Sequence, residues 1–346
     1  MLIVRSPVRI SFGGGGTDLP AYYEKFGGGV VGTAIDKYFY SILRERHDGR
    51  VQVISSDLRV CENWSDISSL QVQSTELQIP LAVLKEIGSR VSVDLFLASE
   101  IPPGTGLGSS ASVCVNLLQV LSQYLSKPLT KKELAERAFH IARNVLGKHV
   151  GKQDEYAAAF GGLNYISFDT DGTTRVEPLG LQEGVLRELE SNLMLFFTGA
   201  AHHSWTILQE QERAVVRGSD STLEALDEVK AIGLEMRDAL LGGQLRRFGE
   251  LLHCGWDAKR RISAKVSTPK IDELYTTARA HGAIGGKITG AGGGGFLLLY
   301  CEKDRQPSVR QALQDVREID FRFDTQGSRV IVNDPFLDHG GSKRTS

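Results

Sequence analysis

The sequence is short of the features that would place it in several large classes. Its four cysteines, Cys61, Cys114, Cys254 and Cys301, are scattered and have no metal-ligand spacing. They read as reduced, mostly buried thiols rather than a disulfide frame or a zinc site. The formal net charge is −2, with no block of either sign, so nothing favours nucleic acid or a membrane surface as partner. No apolar run approaches the ~18 residues of a membrane span, and MLIVRSPVRISF is too short and interrupted for a signal peptide. The expected location is cytoplasmic. Internal repeats are missing, and the one biased segment is the polar tail GGSKRTS, expected to be disordered. A Walker A lysine is also missing, because no Lys-Ser/Thr follows the last glycine of the loop described next.

What the chain does have is glycine, 38 residues of it in 346. The central stretch is PPGTGLGSSA (102–111), between the alternating segment VSVDLFLAS and the helical pattern ASVCVNLLQVLSQYL. A glycine loop entering a helix aims backbone N–H groups and the positive end of the helix dipole at one point, a ready phosphate site. Pro102, Gly104, Gly106, Leu107, Gly108, Ser109, Ser110 and Ala111 are therefore candidate ATP-binding residues, and the Ser110 hydroxyl a candidate Mg²⁺ ligand. The plainer alternative is a turn with a serine N-cap.

A second glycine run lies in SPVRISFGGGGTDLP (6–20) and a third in GGKITGAGGGGFLLLY (285–300). The first reads either as a flexible hairpin or as a close approach that delivers Arg9, Thr17 and Asp18 to one pocket. The third reads either as tight helix–strand packing or as a support for the central loop that touches substrate. Lys287 reaches a phosphate in one reading and is solvated in the other.

Together the three stretches, in this order and spacing, resemble the three motifs of the GHMP kinase family over about residues 1–335. RISFGGGGTD and GKQDEYAAAFGG (151–162) are most similar to the sugar kinases of that family, in particular the bacterial D-glycero-D-manno-heptose 7-phosphate kinase group. The resemblance implies an α+β fold of two domains. The N-terminal one (1–180) is like ribosomal protein S5 domain 2, the C-terminal one (181–335) is ferredoxin-like, and 336–346 is a tail. It implies ATP and Mg²⁺, a small sugar or sugar-phosphate substrate, and a monomer or homodimer. Asp154 is the implied base and Arg9 the group beside the transferred phosphoryl. Gly15, Gly16, Thr17, Asp18, Gln153, Thr198, His202, Gly292 and Gly293 are the implied substrate contacts. Trp64 either stacks on adenine or supports a loop. Asp36 and Lys37 either face the sugar or do not. The heptose 7-phosphate, converted to the 1,7-bisphosphate, is the expected reaction. Alternatives are an unphosphorylated sugar, a mevalonate- or homoserine-type substrate, or a sensor that has lost catalysis.

Two departures accompany the resemblance. The family's Mg²⁺-binding glutamate, on the helix before the QD segment, corresponds here to Ala142. An arginine shortly after the Thr198-Gly199 turn, which could hold a substrate phosphate, is replaced by His202-His203.

The remaining pattern predicts strands over 30–46 and 50–55 paired through His47-Asp48-Gly49, and helices over 76–89, 109–126 and 131–147. Further helices are predicted over 221–242, 244–261, 270–282 and 306–317, with a closing strand over 323–332. Thr130 with Glu133 forms a capping box and Pro269 opens a helix.

Overall fold

The structure is a computed structural model, and it describes residues 1–72, 76–88, 91–199 and 204–334. Two sheets carry the chain. The larger is built from β1 (Leu2–Gly13), β2 (Gly28–Glu45), β3 (Val51–Ser55), β4 (Val60–Trp64), β5 (Val93–Ser99), β6 (Leu163–Phe168), β7 (Thr174–Pro178) and the last strand, β12 (Arg329–Asn333). The smaller is built from β8 (Leu193–Phe197), β9 (Gly285–Ile288), β10 (Phe296–Tyr300) and β11 (Arg317–Glu318).

The larger sheet runs β12-β1-β2-β5-β3-β4, with β6 and β7 continuing from the first half of β2. The expected hairpin between 30–46 and 50–55 does not form. β5 lies between β2 and β3, antiparallel to the first and parallel to the second. The turn signal at Asp48-Gly49 is a local property, whereas pairing is chosen across the sheet. β5 carries Val93, Leu95 and Leu97 into the core, so a central place buries it best. The closing strand is shorter than predicted and pairs with β1 in the larger sheet, well away from the strands that precede it in sequence.

The helices are α1 (Pro20–Phe26), α2 (Gln78–Ile87), α3 (Ser109–Tyr124), α4 (Lys131–His140), α5 (Gln153–Phe160) and α6 (Glu183–Asn192). They continue with α7 (Ser204–Val216), α8 (Asp220–Leu241), α9 (Leu245–Ile262), α10 (Pro269–Ala280) and α11 (Gln306–Ala312). The Thr130–Glu133 capping box is present in both directions, with Glu133 N donating to Thr130 Oγ1 at 3.2 Å and Thr130 N to Glu133 Oε2 at 2.8 Å. Pro269 opens α10, and Thr268 accepts from Ile271 N. After α4 the helix does not continue regularly to Gly147; Ile141–Val145 forms a wider π-type turn.

One apolar core fills the space between the larger sheet and α2–α5. A second includes Val8, Ile10 and Phe12 of β1, Met236 of α8, Phe248 of α9 and Phe296 of β10, so it joins both sheets. A third covers the other face of the smaller sheet around Trp256 and Tyr275. Among the described residues, no helix is long and apolar enough to cross a membrane.

Candidate active site

The three glycine stretches converge on one cavity of about 540 Å³, bounded by β1, the loop before α3, α5, α7, α9 and the loop after β9. This is the size range of small-molecule sites.

In the central loop, Gly104, Gly106 and Gly108 all have left-handed backbones, at φ 76°, 80° and 75°. At Gly106 the reason lies within the protein: a Cβ there would stand 2.5 Å from the carbonyl oxygen of Thr289, in the third glycine stretch. The two loops therefore lie back to back. Gly108 precedes the first turn of α3, and no side chain caps that turn. The plainer alternative, a serine N-cap, is thus not used. Ser109 Oγ is buried without a partner, Ser110 is exposed, and both residues line the cavity. A 16-residue helix with an uncapped N-terminus leaves its first N–H groups for a ligand.

Arg9 and Asp154 meet at the centre. Arg9 Nε donates to Asp154 Oδ1 at 2.7 Å and Nη2 to Oδ2 at 2.8 Å, a bidentate pair. The third donor, Nη1, holds Gly106 O at 2.6 Å, and Arg9 N donates to Leu107 O at 2.9 Å. Arg9 is thereby fixed to the central loop through both backbone and side chain. The Arg9 side chain is 7% exposed and that of Asp154 29%, so the carboxylate remains open to the cavity. Asp154 occupies the first turn of α5, where the helix dipole favours a carboxylate.

Asp18 lies beside them, buried. It accepts from Gly16 N at 2.9 Å, Gln153 Nε2 at 3.0 Å and Gln153 N at 3.3 Å. Burial first, and then the charge of Asp154, push its carboxyl above the usual range. A Cβ at Gly151 would sit 1.9 Å from Asp18 Oδ2, so only glycine admits this carboxylate. Gly15, Gly16 and Gln153 line the same wall.

Several predicted contacts lie elsewhere. Thr17 turns its hydroxyl into the backbone, donating to Gly14 O and accepting from Gly29 N. Leu107 is fully buried, and Pro102 stands outside the lining while Pro103 is part of it. Thr198 binds Gly295 O through both N and Oγ1, and Gly293 N binds Val266 O. With Gly292 packed on Val266, these residues shape the third loop from behind, while Gly290 and Ala291 reach the cavity. Trp64 ends β4 and packs on the first core, outside the cavity. Lys287 follows neither expectation: it is buried and donates to Phe12 O at 3.1 Å. Burial, then Lys259, hold its pKa well below the ordinary value. Asp36 accepts from Arg322 N and neighbours Lys37, away from the cavity. His202 and His203 lie outside the described residues.

Other lining residues were not singled out by sequence reasoning. Lys259 of α9 is buried and donates to Gly290 O. Burial, and then Arg9, lower its pKa to about 8. Its signal was available: it falls three and seven residues after Trp256 and Leu252, on the apolar stripe of α9. Glu155 neighbours Asp154, and burial followed by the Asp154 charge raises its carboxyl well above the usual range. Trp205 and Gln211 of α7 and Lys148 complete the polar and aromatic wall.

Residues 77–162 match the GHMP kinases N terminal domain and 236–318 the GHMP kinases C terminal domain. D-glycero-alpha-D-manno-heptose 7-phosphate kinase of Campylobacter jejuni is 30% identical over 334 residues, covering 93% of this chain and 96% of that one. Galactokinase of Pyrococcus furiosus is 27% identical, covering 96% and 97%. The crystal structure of a D-glycero-D-manno-heptose 1-phosphate kinase from Bacteroides thetaiotaomicron superposes with a TM-score of 0.81 at 28% identity, covering 97% of this chain and all of that one.

Proposed function

The chain belongs to the GHMP kinase family as a sugar kinase, and from that premise we propose that it phosphorylates a heptose phosphate with Mg²⁺-bound ATP. The favoured reaction is D-glycero-D-manno-heptose 7-phosphate to the 1,7-bisphosphate. The observation that carries the reading is the Arg9–Asp154 pair, opening on the same cavity as the uncapped start of α3.

In this reading the N–H groups at Ser109 and Ser110 hold the nucleotide phosphates. Arg9 and Lys259 neutralise charge that builds on the transferred group. Asp154 spends one direction of each carboxylate oxygen on Arg9. The remaining lone pairs accept the hydrogen bond of the attacking hydroxyl and then its proton. The hydroxyl oxygen bonds to the γ-phosphorus as the bridge to the β-phosphate breaks, releasing ADP. Asp18, held by Gln153 and Gly16, accepts hydrogen bonds from other sugar hydroxyls. Mg²⁺, when bound, would be held at the wall formed by Ser109, Ser110 and Glu155 and would draw off negative charge from the nucleotide phosphates. The residues present suit it, since Ser109 Oγ and Glu155 Oε2 are buried oxygens without partners on the cavity wall.

The substrate assignment is supported by the heptose phosphate kinases among the relatives. A galactokinase of comparable coverage supports an unphosphorylated sugar as second reading. ATP consumption against free and phosphorylated heptoses and hexoses separates the two. Turnover on the heptose 7-phosphate alone establishes the first, and turnover only on a free sugar establishes the second. Asp154→Asn is expected to lower kcat by about 10²–10⁴, the span of general-base catalysis, with nucleotide binding nearly intact. Unchanged turnover in that variant would remove Asp154 from the mechanism.

A further inference from the structure

Glu155 is the anomaly in the cavity wall. It is 3% exposed, and its Oε2 has no hydrogen-bond partner. A buried carboxylate oxygen left unpaired is costly, and native proteins seldom keep one without a compensating ligand. Asp154 on the preceding residue has Arg9, and Asp18 has three donors; Glu155 has neither kind of support at Oε2. It lines the same cavity as Ser109, whose Oγ is also buried and unpartnered, and as Ala142 in the π-type turn. α5 packs on α3, and Cys114 of α3, one turn beyond Ser110, lines the same cavity as Glu155. Glu155 and the first turns of the phosphate-binding helix thus face one cavity.

We propose that Glu155 supplies the protein carboxylate for the Mg²⁺ that accompanies ATP, together with the hydroxyls at Ser109-Ser110, in place of the carboxylate missing at Ala142. The inference rests on the kinase reading above. Among the described residues, no three His, Cys, Asp or Glu side chains are grouped to hold a metal by themselves. A site of one carboxylate, serine hydroxyl, phosphate oxygens and water matches how Mg²⁺ is ordinarily held beside nucleotides. Ala142, in the turn after α4, and Glu155, in the first turn of α5, line one cavity, so a carboxylate placed at either position faces the same space.

The test uses Mn²⁺ as the probe, its free concentration followed by electron paramagnetic resonance, with β,γ-imido-ATP and the full chain. Glu155→Gln is expected to weaken Mn²⁺ binding in the ternary complex by at least about tenfold, the scale of disturbing a metal site. Binding of the nucleotide in EDTA should be unchanged. Adding Ala142→Glu to Glu155→Gln should restore the Mn²⁺ affinity, which a purely structural role of Glu155 would not produce. Wild-type Mn²⁺ affinity in Glu155→Gln overturns the proposal, as does a loss that Ala142→Glu fails to repair in a folded double variant. Failure of the kinase reading looks different: the wild-type protein would then bind no imido-ATP even in EDTA.

Discussion

Lys259 is held where a lysine is least comfortable, buried and beside the Arg9 guanidinium. The charged groups that face it are Arg9, Asp18, Asp154 and Lys287. Its pKa of about 8 means that the charge is present at neutral pH and lost as pH rises through 8. If this charge helps to receive the phosphates, kcat/KM, which reports the free enzyme, falls above pH 8 and approaches a tenfold loss per unit. Lys259→Gln should lower kcat/KM at pH 7 and flatten that limb. A limb that survives in Lys259→Gln assigns it to another group. The sign for stability runs the opposite way. The folded chain holds this proton less tightly than the unfolded chain, at about 8 against 10.5. The cost of burying the charge is therefore full below pH 8 and declines as pH rises toward 10.5. Lys259→Met should accordingly raise the melting temperature more at pH 7 than at pH 10.

At the scale of elements, the glycine loops support one another as much as they support a ligand. Gly106 and Gly290 each exclude a Cβ through the backbone of the opposite loop. Gly106→Val should therefore lower stability as well as nucleotide affinity, by a few kcal/mol in urea unfolding, since it adds overpacking to a left-handed backbone. A variant of normal stability that only lost nucleotide would place the clash with the ligand instead. Gly151→Ala is a cleaner probe of the sugar side. Its Cβ would collide with Asp18 Oδ2, so KM for sugar should rise while metal-free nucleotide binding is kept. The loops, the Thr130 capping box, the Pro269 start and the Arg9, Asp18 and Asp154 cluster were legible because each is written in local residue types or motif order. Strand order was not: nothing in 30–55 announces that β5 will separate β2 from β3, since that choice is made by burial across the sheet. Nor were side-chain directions. Lys287 turns inward to a carbonyl, and Trp64 spends its ring on the core, whereas Lys259 could have been read from its place on the apolar stripe of α9.

At the scale of the whole molecule, the chain closes on itself. β12 brings the last described residues back to β1, pairing Leu2 with Asn333, Ile3 with Val332, Val4 with Val330 and Arg5 with Arg329. Ser6 Oγ donates to Ser328 Oγ at 2.7 Å in a buried contact. The same β1 carries Val8, Ile10 and Phe12 into the core shared with α8, α9 and the smaller sheet, and Arg9 into the site. One strand is thus paired with β2 along its length and with β12 at its start, packed into the core shared by both sheets, and chemically engaged through Arg9. Ending the chain after Gly327 removes the ladder, leaves Ser6 unpaired and turns β1 into an edge strand. Lost hydrogen bonds at about 0.5–1.5 kcal/mol each, plus the contacts of Val330, total on the order of 5 kcal/mol. That is comparable with the whole stability of many domains, so this truncation should aggregate or unfold at low urea. Because the shared core links the sheets, both should lose structure together. Trp64 reports on the first core and Trp256 on the third, so fluorescence of two single-tryptophan forms of the full chain can follow each. Coincident urea midpoints are expected; midpoints separated by more than the error of the fits would mean that the shared core does not couple the two sheets.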